Sequence, residues 1–456
     1  MVILRRQENQ NTTKKSFIEE FSQKNIYGSE YSVGFAVDIG TTTIAIYAID
    51  FAKGTMIGSL SEINQQTTLG ADVMMRIMHA VSGKAEQLHQ MVVAQVEQMA
   101  AEILSSRQIN LSDSSKVCFC VVGNTTMCHL FLGKDVTGLA GYPFSPAYQG
   151  SEECHGKELG MKRFRDSKVK VLAGIAGHVG SDALAVIGAK SLFQAGKIQL
   201  AIDLGTNAEI ILNKKGKVFV CSTAAGPAFE GKGICCGMAA KTGAVNGVRI
   251  LKNGNIVLDV IDSVEPSGIC GSGLVDLLAQ LAGCGIIQKD GYLLSKEEAQ
   301  EAGVLPELCS QLAKRDEKNA FVLYSGGKGK KEVFLTQQDI RNLQLAKSAI
   351  QAGVQCLLQT GGVTLEETDE IIIAGVLGSC LHPANAVQIG LLPKADGDKM
   401  CFAGNAAGQG AVAVMLDEKF AEKLEKLARK IQHIELAQEP DFQEKLLNAM
   451  NFEGWF

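Results

Sequence analysis

Phe35-Ala-Val-Asp-Ile-Gly-Thr-Thr-Thr-Ile-Ala-Ile46 and Leu200-Ala-Ile-Asp-Leu-Gly-Thr-Asn-Ala-Glu-Ile-Ile211 are one segment written twice. Each is an apolar run, then Asp, an apolar residue, Gly and Thr, then a second apolar run. Such runs read as buried strands, and the Gly lets the chain turn between them. Each copy therefore predicts a β-hairpin whose turn suits phosphate. Gly40 and Gly205 bring backbone N–H donors close to an anion without a side chain in the way. Thr41, Thr42, Thr43, Thr206 and Asn207 add hydroxyl and amide donors. Asp38 and Asp203, just before the turns, can hold Mg²⁺, because a hard cation takes carboxylate and phosphate oxygens together. One copy alone reads equally well as a plain hairpin turn. Two copies with matched flanks predict an ATP cleft between two halves of the chain. The copies differ, since Asn207 and Glu209 give the second an amide and a carboxylate.

At 456 residues the chain is long enough for two to four domains. Apolar residues at 46% and charged residues at 20% are those of an ordinary globular protein. A net charge of −5 provides no general footprint for nucleic acid. No apolar run has the length of a membrane span, and Arg5-Arg6 lacks the apolar core of a secretory signal, so a cytoplasmic protein is expected. The 13 cysteines include no Cys-x-x-Cys pair, which favours scattered core thiols over a disulfide framework or an evident iron–sulfur cluster. The role of the vicinal Cys235-Cys236 pair is left open.

The expected organisation is a tail or short helix over 1–31, a first half over 32–195 and a second half over 196–456. A peripheral subdomain is expected near 284–335. Gly375-Val-Leu-Gly378 follows a buried strand and fits a nucleoside site, with glycines letting the chain lie flat beside a base or ribose. Thr336-Gln-Gln-Asp339 resembles a capping box and introduces a strong helix. Gln344, Lys347 and Ser348 on that helix are candidates to wall the nucleotide, or else a solvated face. Asp182 follows Gly180-Ser181 and is the candidate for positioning an attacking water, the alternative being a helix-terminal charge. Glu209 and Glu230 are weaker candidates for metal or water. The run Cys221-Ser-Thr-Ala-Ala-Gly-Pro-Ala-Phe-Glu-Gly-Lys-Gly-Ile-Cys-Cys-Gly-Met238 carries an isolated Lys232. It reads as a phosphate-contacting loop, a moving surface or an ordinary loop.

In this order the motifs resemble the actin/hexokinase/Hsp70 superfamily: phosphate-1 at 38–43, connect-1 at 174–182, phosphate-2 at 203–209, adenosine at 375–379 and connect-2 at 404–410. The implied fold class is α/β, two actin-like (ribonuclease H-like) halves around a nucleotide cleft, with inserted subdomains. Within it, the chain is similar to the reductive activators of corrinoid proteins. Ser222-Thr-Ala-Ala-Gly-Pro-Ala-Phe-Glu-Gly231 and Asp339-Ile-Arg-Asn-Leu-Gln-Leu-Ala-Lys347 are its specific strings. Val122-Gly-Asn-Thr-Thr-Met127, Gly177-His-Val-Gly-Ser-Asp182, Gly268-Ile-Cys-Gly-Ser-Gly273 and Ile389-Gly-Leu-Leu-Pro393 agree.

The resemblance implies an ATPase that assists the one-electron reduction of an inactive Co(II) corrinoid protein to Co(I) for methyl transfer. It implies ATP and Mg²⁺ as cofactors, Asp38 and Asp203 as metal-organising carboxylates, and a corrinoid protein of a methyltransferase system as partner. Relatives usually carry an iron–sulfur domain. The short polar leader here has no cysteine, so the electron is expected from an external low-potential donor such as a ferredoxin-like protein. A homodimer is left open. The rival readings are a small-molecule kinase of the same fold, with Asp182 as base, and a nucleotide-regulated scaffold without redox role. A third is an activator of radical dehydratases holding a cluster through Cys236 or Cys270.

Overall fold

The computed structural model describes residues 2–5, 30–111, 116–327, 331–396, 398–453 and 455. Both predicted hairpins form. Val33–Ile39 pairs antiparallel with Thr43–Asp50, placing Asp38 opposite Ala45. Ile198–Leu204 pairs in the same way with Ala208–Lys214, placing Asp203 opposite Glu209. Successive side chains of a strand point to opposite faces. Phe35, Val37 and Ile39 thus enter the core of the first half, and Leu200, Ile202 and Leu204 that of the second. Ala36 and Ala201 face a third apolar cluster that joins the halves. Asp38 and Asp203 stand two residues beyond these alanines, so the same alternation turns both carboxyls toward the junction.

Each hairpin seeds a six-stranded sheet, and five strands of each repeat one topology, the sixth being added at opposite edges. In the first, Thr55–Ile63 adds antiparallel beside Thr43–Asp50, while Val117–Gly123 and then Lys168–Val171 add in parallel beyond Val33–Ile39. In the second, Lys217–Thr223 adds antiparallel beside Ala208–Lys214, while Glu370–Ala374 and then Met400–Gly404 add in parallel beyond Ile198–Leu204. The first sheet ends in Glu152–His155 and the second in Gln432–His433.

Helices Ser181–Ala189 and Ala406–Leu416 cross at the junction and fill it with small side chains. A Cβ on Gly410 would fall 2.2 Å from the Ala185 carbonyl oxygen, so this close crossing requires glycine. The N-terminal ends of these helices carry Asp182 and Asn405 to the cleft.

Smaller sheets decorate the second half. Leu312–Arg315, Lys318–Ser325 and Glu332–Thr336 form a three-stranded antiparallel sheet. Residues 2–5, read from the sequence as tail or short helix, form a strand paired in parallel with Ile256–Val260. That pairing satisfies backbone groups along the Ile256–Val260 edge. The rest of the expected tail or short helix, residues 6–29, lies outside the described residues. The capping box forms at Thr336 and Asp339 and starts the 25-residue helix Gln337–Gly361. No described helix is long and apolar enough to cross a membrane.

Candidate functional site

The two hairpin turns face each other across a cleft of about 550 Å³, within the size range of small-molecule sites. Asp38, Gly40, Thr41, Thr42, Thr43, Asp182, Asp203, Gly205, Thr206, Asn207 and Glu209 all line it. In the first turn the Gly40 N–H donates to the Thr43 carbonyl at 2.9 Å; in the second the Gly205 N–H donates to the Asn207 carbonyl at 3.1 Å. A Cβ on Gly40 would lie 2.7 Å from that Thr43 oxygen, which is why the tight turn takes glycine.

The first turn is braced by groups that sequence reading did not single out. Asn124 donates to the Thr41 hydroxyl at 2.9 Å, and Asn405 donates to the Asp38 carboxylate at 2.9 Å. Arg76 lies fully buried behind the first turn, donating to the Thr41 carbonyl, to the Gly70 carbonyl at 3.0 Å and to Gln66 at 3.2 Å. Burial pulls its guanidinium down to about 10. Asn124 sits in a Gly-Asn-Thr-Thr string that flagged the segment, but nothing near Arg76 in the sequence marks it.

Four acids crowd the cleft. Burial raises Asp38 to about 7, helped by the charge of Asp182. Burial raises Asp203 to about 8, helped by Asp182 and Asp38. Asp182, in the first turn of its helix, is raised by burial to about 6, against the Ala183 N–H that donates to it at 2.8 Å. Glu209 is pushed well up by burial and by Asp182 and Asp203, although Ser222 donates to it at 3.2 Å. Burial and like charge act together here and raise the proton affinity of all four acids.

The cleft also has apolar lining from Phe229, Met238, Ile261, Val376 and Leu377. Gly375 lines it with φ of +88°, and a Cβ there would lie 2.3 Å from the Leu204 carbonyl oxygen. The glycine thereby lets the turn after Glu370–Ala374 lie against the second phosphate strand. Gly378 is buried instead, where a Cβ would meet Ile373 at 2.9 Å, so it supports the turn from beneath.

Gln344, Lys347 and Ser348 are not brought to the cleft. All three are fully buried and hold the C-terminal segment. Gln344 donates to the Met450 carbonyl at 2.8 Å and Ser348 to the Ala449 carbonyl at 3.0 Å. Lys347 donates to the Ala449 carbonyl at 2.6 Å and to the Asn451 carbonyl, with the Phe452 ring 5.7 Å away. Helical spacing placed the three side chains on one face; the closing segment, distant in sequence, decided what that face meets. Lys347→Met should cost about 1–3 kcal/mol of stability, since it removes the charged hydrogen bonds to the Ala449 and Asn451 carbonyls, of which Ala449 keeps the Ser348 hydroxyl. Nucleotide affinity should stay within about twofold, because the side chain is remote from the cleft. Calorimetric unfolding and titration would check both; a tenfold affinity loss at unchanged stability would restore Lys347 to the nucleotide wall.

Cys236 and Cys270 are both buried. The Cys236 thiol lies under the three-stranded sheet, 3.5 Å from the Phe334 N–H, and the Cys270 thiol approaches the Val245 carbonyl at 3.4 Å. Neither is presented at the surface, where a cluster shared between subunits would need it.

Duplicated sheets and facing Asp-x-Gly-Thr turns around one cleft define a two-lobed actin-like fold of the nucleotide-clamping kind. Comparison narrows the class. Residues 33–195 match the family described as the RACo middle region, and residues 197–454 match the C-terminal domain of RACo, the ASKHA domain. The chain belongs to this family, the reductive activators of corrinoid proteins. It is 36% identical over 425 residues to the corrinoid activation enzyme RamQ of Eubacterium limosum, spanning 91% of this chain and 70% of that one. It is 24% identical over 462 residues to a Methanosarcina barkeri protein named [Co(II) methylated amine-specific corrinoid protein] reductase, spanning 92% and 77%. A solved reductive activator for a corrinoid, iron–sulfur protein superposes with a TM-score of 0.82 at 32% identity, over 93% of this chain. This chain spans 66% of that activator's length.

Proposed function

We propose that this protein binds and hydrolyses Mg-ATP in the cleft and uses it to assist the reduction of a Co(II) corrinoid protein to Co(I), with the electron supplied by a separate low-potential donor. The observation that carries the reading is the pair of hairpins facing each other with their carboxyls turned inward, in a chain of the corrinoid-activator family. Gly40, Thr41, Thr42, Thr43, Gly205, Thr206 and Asn207 would hold phosphates. Gly375 and the apolar wall would hold the nucleoside, with Gly378 setting the turn.

The donor set fits Mg²⁺. Asp38 and Asp203 would supply oxygen ligands from the strand ends at the two turns, both lining the cleft. Among the described residues no three His, Cys, Asp or Glu side chains converge tightly enough to ligate an ion unaided. That suits Mg²⁺, which takes one or two carboxylates and completes its shell with phosphate and water. The ion supplies charge neutralisation at the phosphates. Asp182, which lines the same cleft and is raised to about 6, would accept a proton from, or orient, an attacking water. Glu209 is the second such carboxylate.

ATP binding can favour one arrangement of the halves and the corrinoid partner another, and only such differential affinity couples hydrolysis to reduction. Phosphate release from ATP with no added acceptor, dependent on Mg²⁺, tests the hydrolytic part. Transfer to a sugar or carboxylic acid without free phosphate would contradict it.

A further inference from the structure

The hydroxyls expected to hold phosphate already hold a carboxylate. Thr42 donates to one oxygen of Glu230 at 2.6 Å, and Thr206 donates to the other. The two hydroxyl oxygens are 3.2 Å apart, so one carboxylate spans both turns. Lys232 stands beside it, 3.3 Å from Glu230, and donates to the Thr42 hydroxyl at 3.1 Å. All four side chains border the cleft. Thr42 belongs to the first half, and Thr206, Glu230 and Lys232 to the second, so this cluster also ties the halves together.

Resting on the ATP reading above, we infer that Glu230 is an internal stand-in for the terminal phosphate of ATP, and that Lys232 is the cation that passes from Glu230 to that phosphate. A carboxylate presents two anionic acceptor oxygens, as a phosphoryl group does. Each threonine hydroxyl has one proton to donate, and Glu230 takes both. An incoming terminal phosphate therefore competes with Glu230 for the same donors and repels its charge. Lys232 is attracted to whichever anion is present, so it remains and neutralises the newcomer.

The exchange has a mechanical consequence. Gly226, Gly231 and Gly233 carry φ of +77°, +74° and +72° and frame the segment holding both residues. That segment is pinned to helix Gln337–Gly361. Asn342 donates to the Gly233 carbonyl at 2.6 Å, and the Cys235 N–H donates to Asp339 at 2.8 Å. Displacing Glu230 exchanges a direct tie between the halves for one made through phosphate, and the helix senses the difference. The Ser222–Gly231 and Asp339–Lys347 strings, separate in sequence, meet in this one device.

Titration calorimetry on the full chain with adenosine, Mg-ADP and the non-hydrolysable triphosphate AMPPNP tests the inference. Glu230→Gln keeps the shape and removes the charge. It should tighten AMPPNP about tenfold or more, ADP less, and adenosine by under about twofold. Lys232→Met should weaken AMPPNP about tenfold and leave adenosine unchanged. Glu230→Asp, which keeps the charge but cannot span both hydroxyls, should also bind AMPPNP more tightly than wild type, so the result does not hang on one variant folding well. Weaker AMPPNP binding by Glu230→Gln would make Glu230 a ligand to metal or water and overturn the inference, as would equal shifts for all three probes. Wild-type protein that binds none of the probes would remove the ATP reading itself, and the inference with it. Wild-type binding with Glu230→Gln unchanged would remove the inference alone.

Discussion

Asp203→Asn is expected to abolish Mg-dependent ATP hydrolysis, by about a hundredfold to a thousandfold, and at the same time to stabilise the empty protein near pH 8. The loss follows from position. Asp203 ends its strand at the second phosphate turn and shares the inward face with Asp38. An amide has the same shape but no charge to bind a hard cation. The gain follows from electrostatics. Burial and the charges of Asp182 and Asp38 raise Asp203 from 3.8 to about 8. Between those values the folded protein keeps a proton that the unfolded chain has lost. The stabilisation from this proton is complete below pH 3.8, declines as pH rises, and is gone above about pH 8. Asp182 and Asp38 add declines of the same sign that end near 6 and 7. Asn carries no charge at any of these pH values, so Asp203→Asn should unfold a few degrees higher at pH 8 and show a shallower fall in Tm from pH 6 to 8.5. Thermal scans across that range, without nucleotide, check the sign. An unchanged pH slope would mean the carboxyl is not strained by its surroundings.

Arg76→Met should be the most damaging change outside the acids. The guanidinium is fully buried and donates to Thr41, Gly70 and Gln66 as well as to the Met127 sulfur. Charged hydrogen bonds contribute about 1.5–3 kcal/mol each, and part of that is offset because Met need not be desolvated as a cation. A net loss of about 3 kcal/mol is expected, enough to lower Tm by several degrees. ATP affinity should fall as well, because Thr41 loses the support that fixes its carbonyl. Arg76→Lys should recover only part of both losses, since an ammonium cannot reach three acceptors held in the geometry of a planar fork. A variant that unfolds like wild type would show that the buried cation is dispensable.

The hairpins were legible because their information is local. Period-two alternation and the Asp-x-Gly-Thr turn place Asp38 and Asp203 on one face before any tertiary contact is known. The capping box at Thr336 and Asp339 was legible for the same reason. The roles of Gln344, Lys347 and Ser348 were not. Their partners are carbonyls of residues 449–451, and a carbonyl leaves no mark in a sequence. Arg76 was invisible for a similar reason, since it serves the backbone oxygens of Thr41 and Gly70. Glu230 was noticed as a carboxylate, but its contact with both turns depends on how the halves meet. Gly375 and Gly378 look alike in sequence, and only the packing of Ile373 against Gly378 separates them.

The family match resolves which of the same-fold readings to pursue, and it turns the central claim into one about cobalt. The most direct measurement is an anaerobic visible spectrum of a cognate corrinoid protein prepared in the Co(II) state and mixed with this protein, Mg-ATP and a low-potential electron donor. The Co(I) band should appear only when all components are present, and Asp203→Asn should suppress it. Co(I) forming at the same rate without ATP, or not forming with every component supplied, would contradict the account.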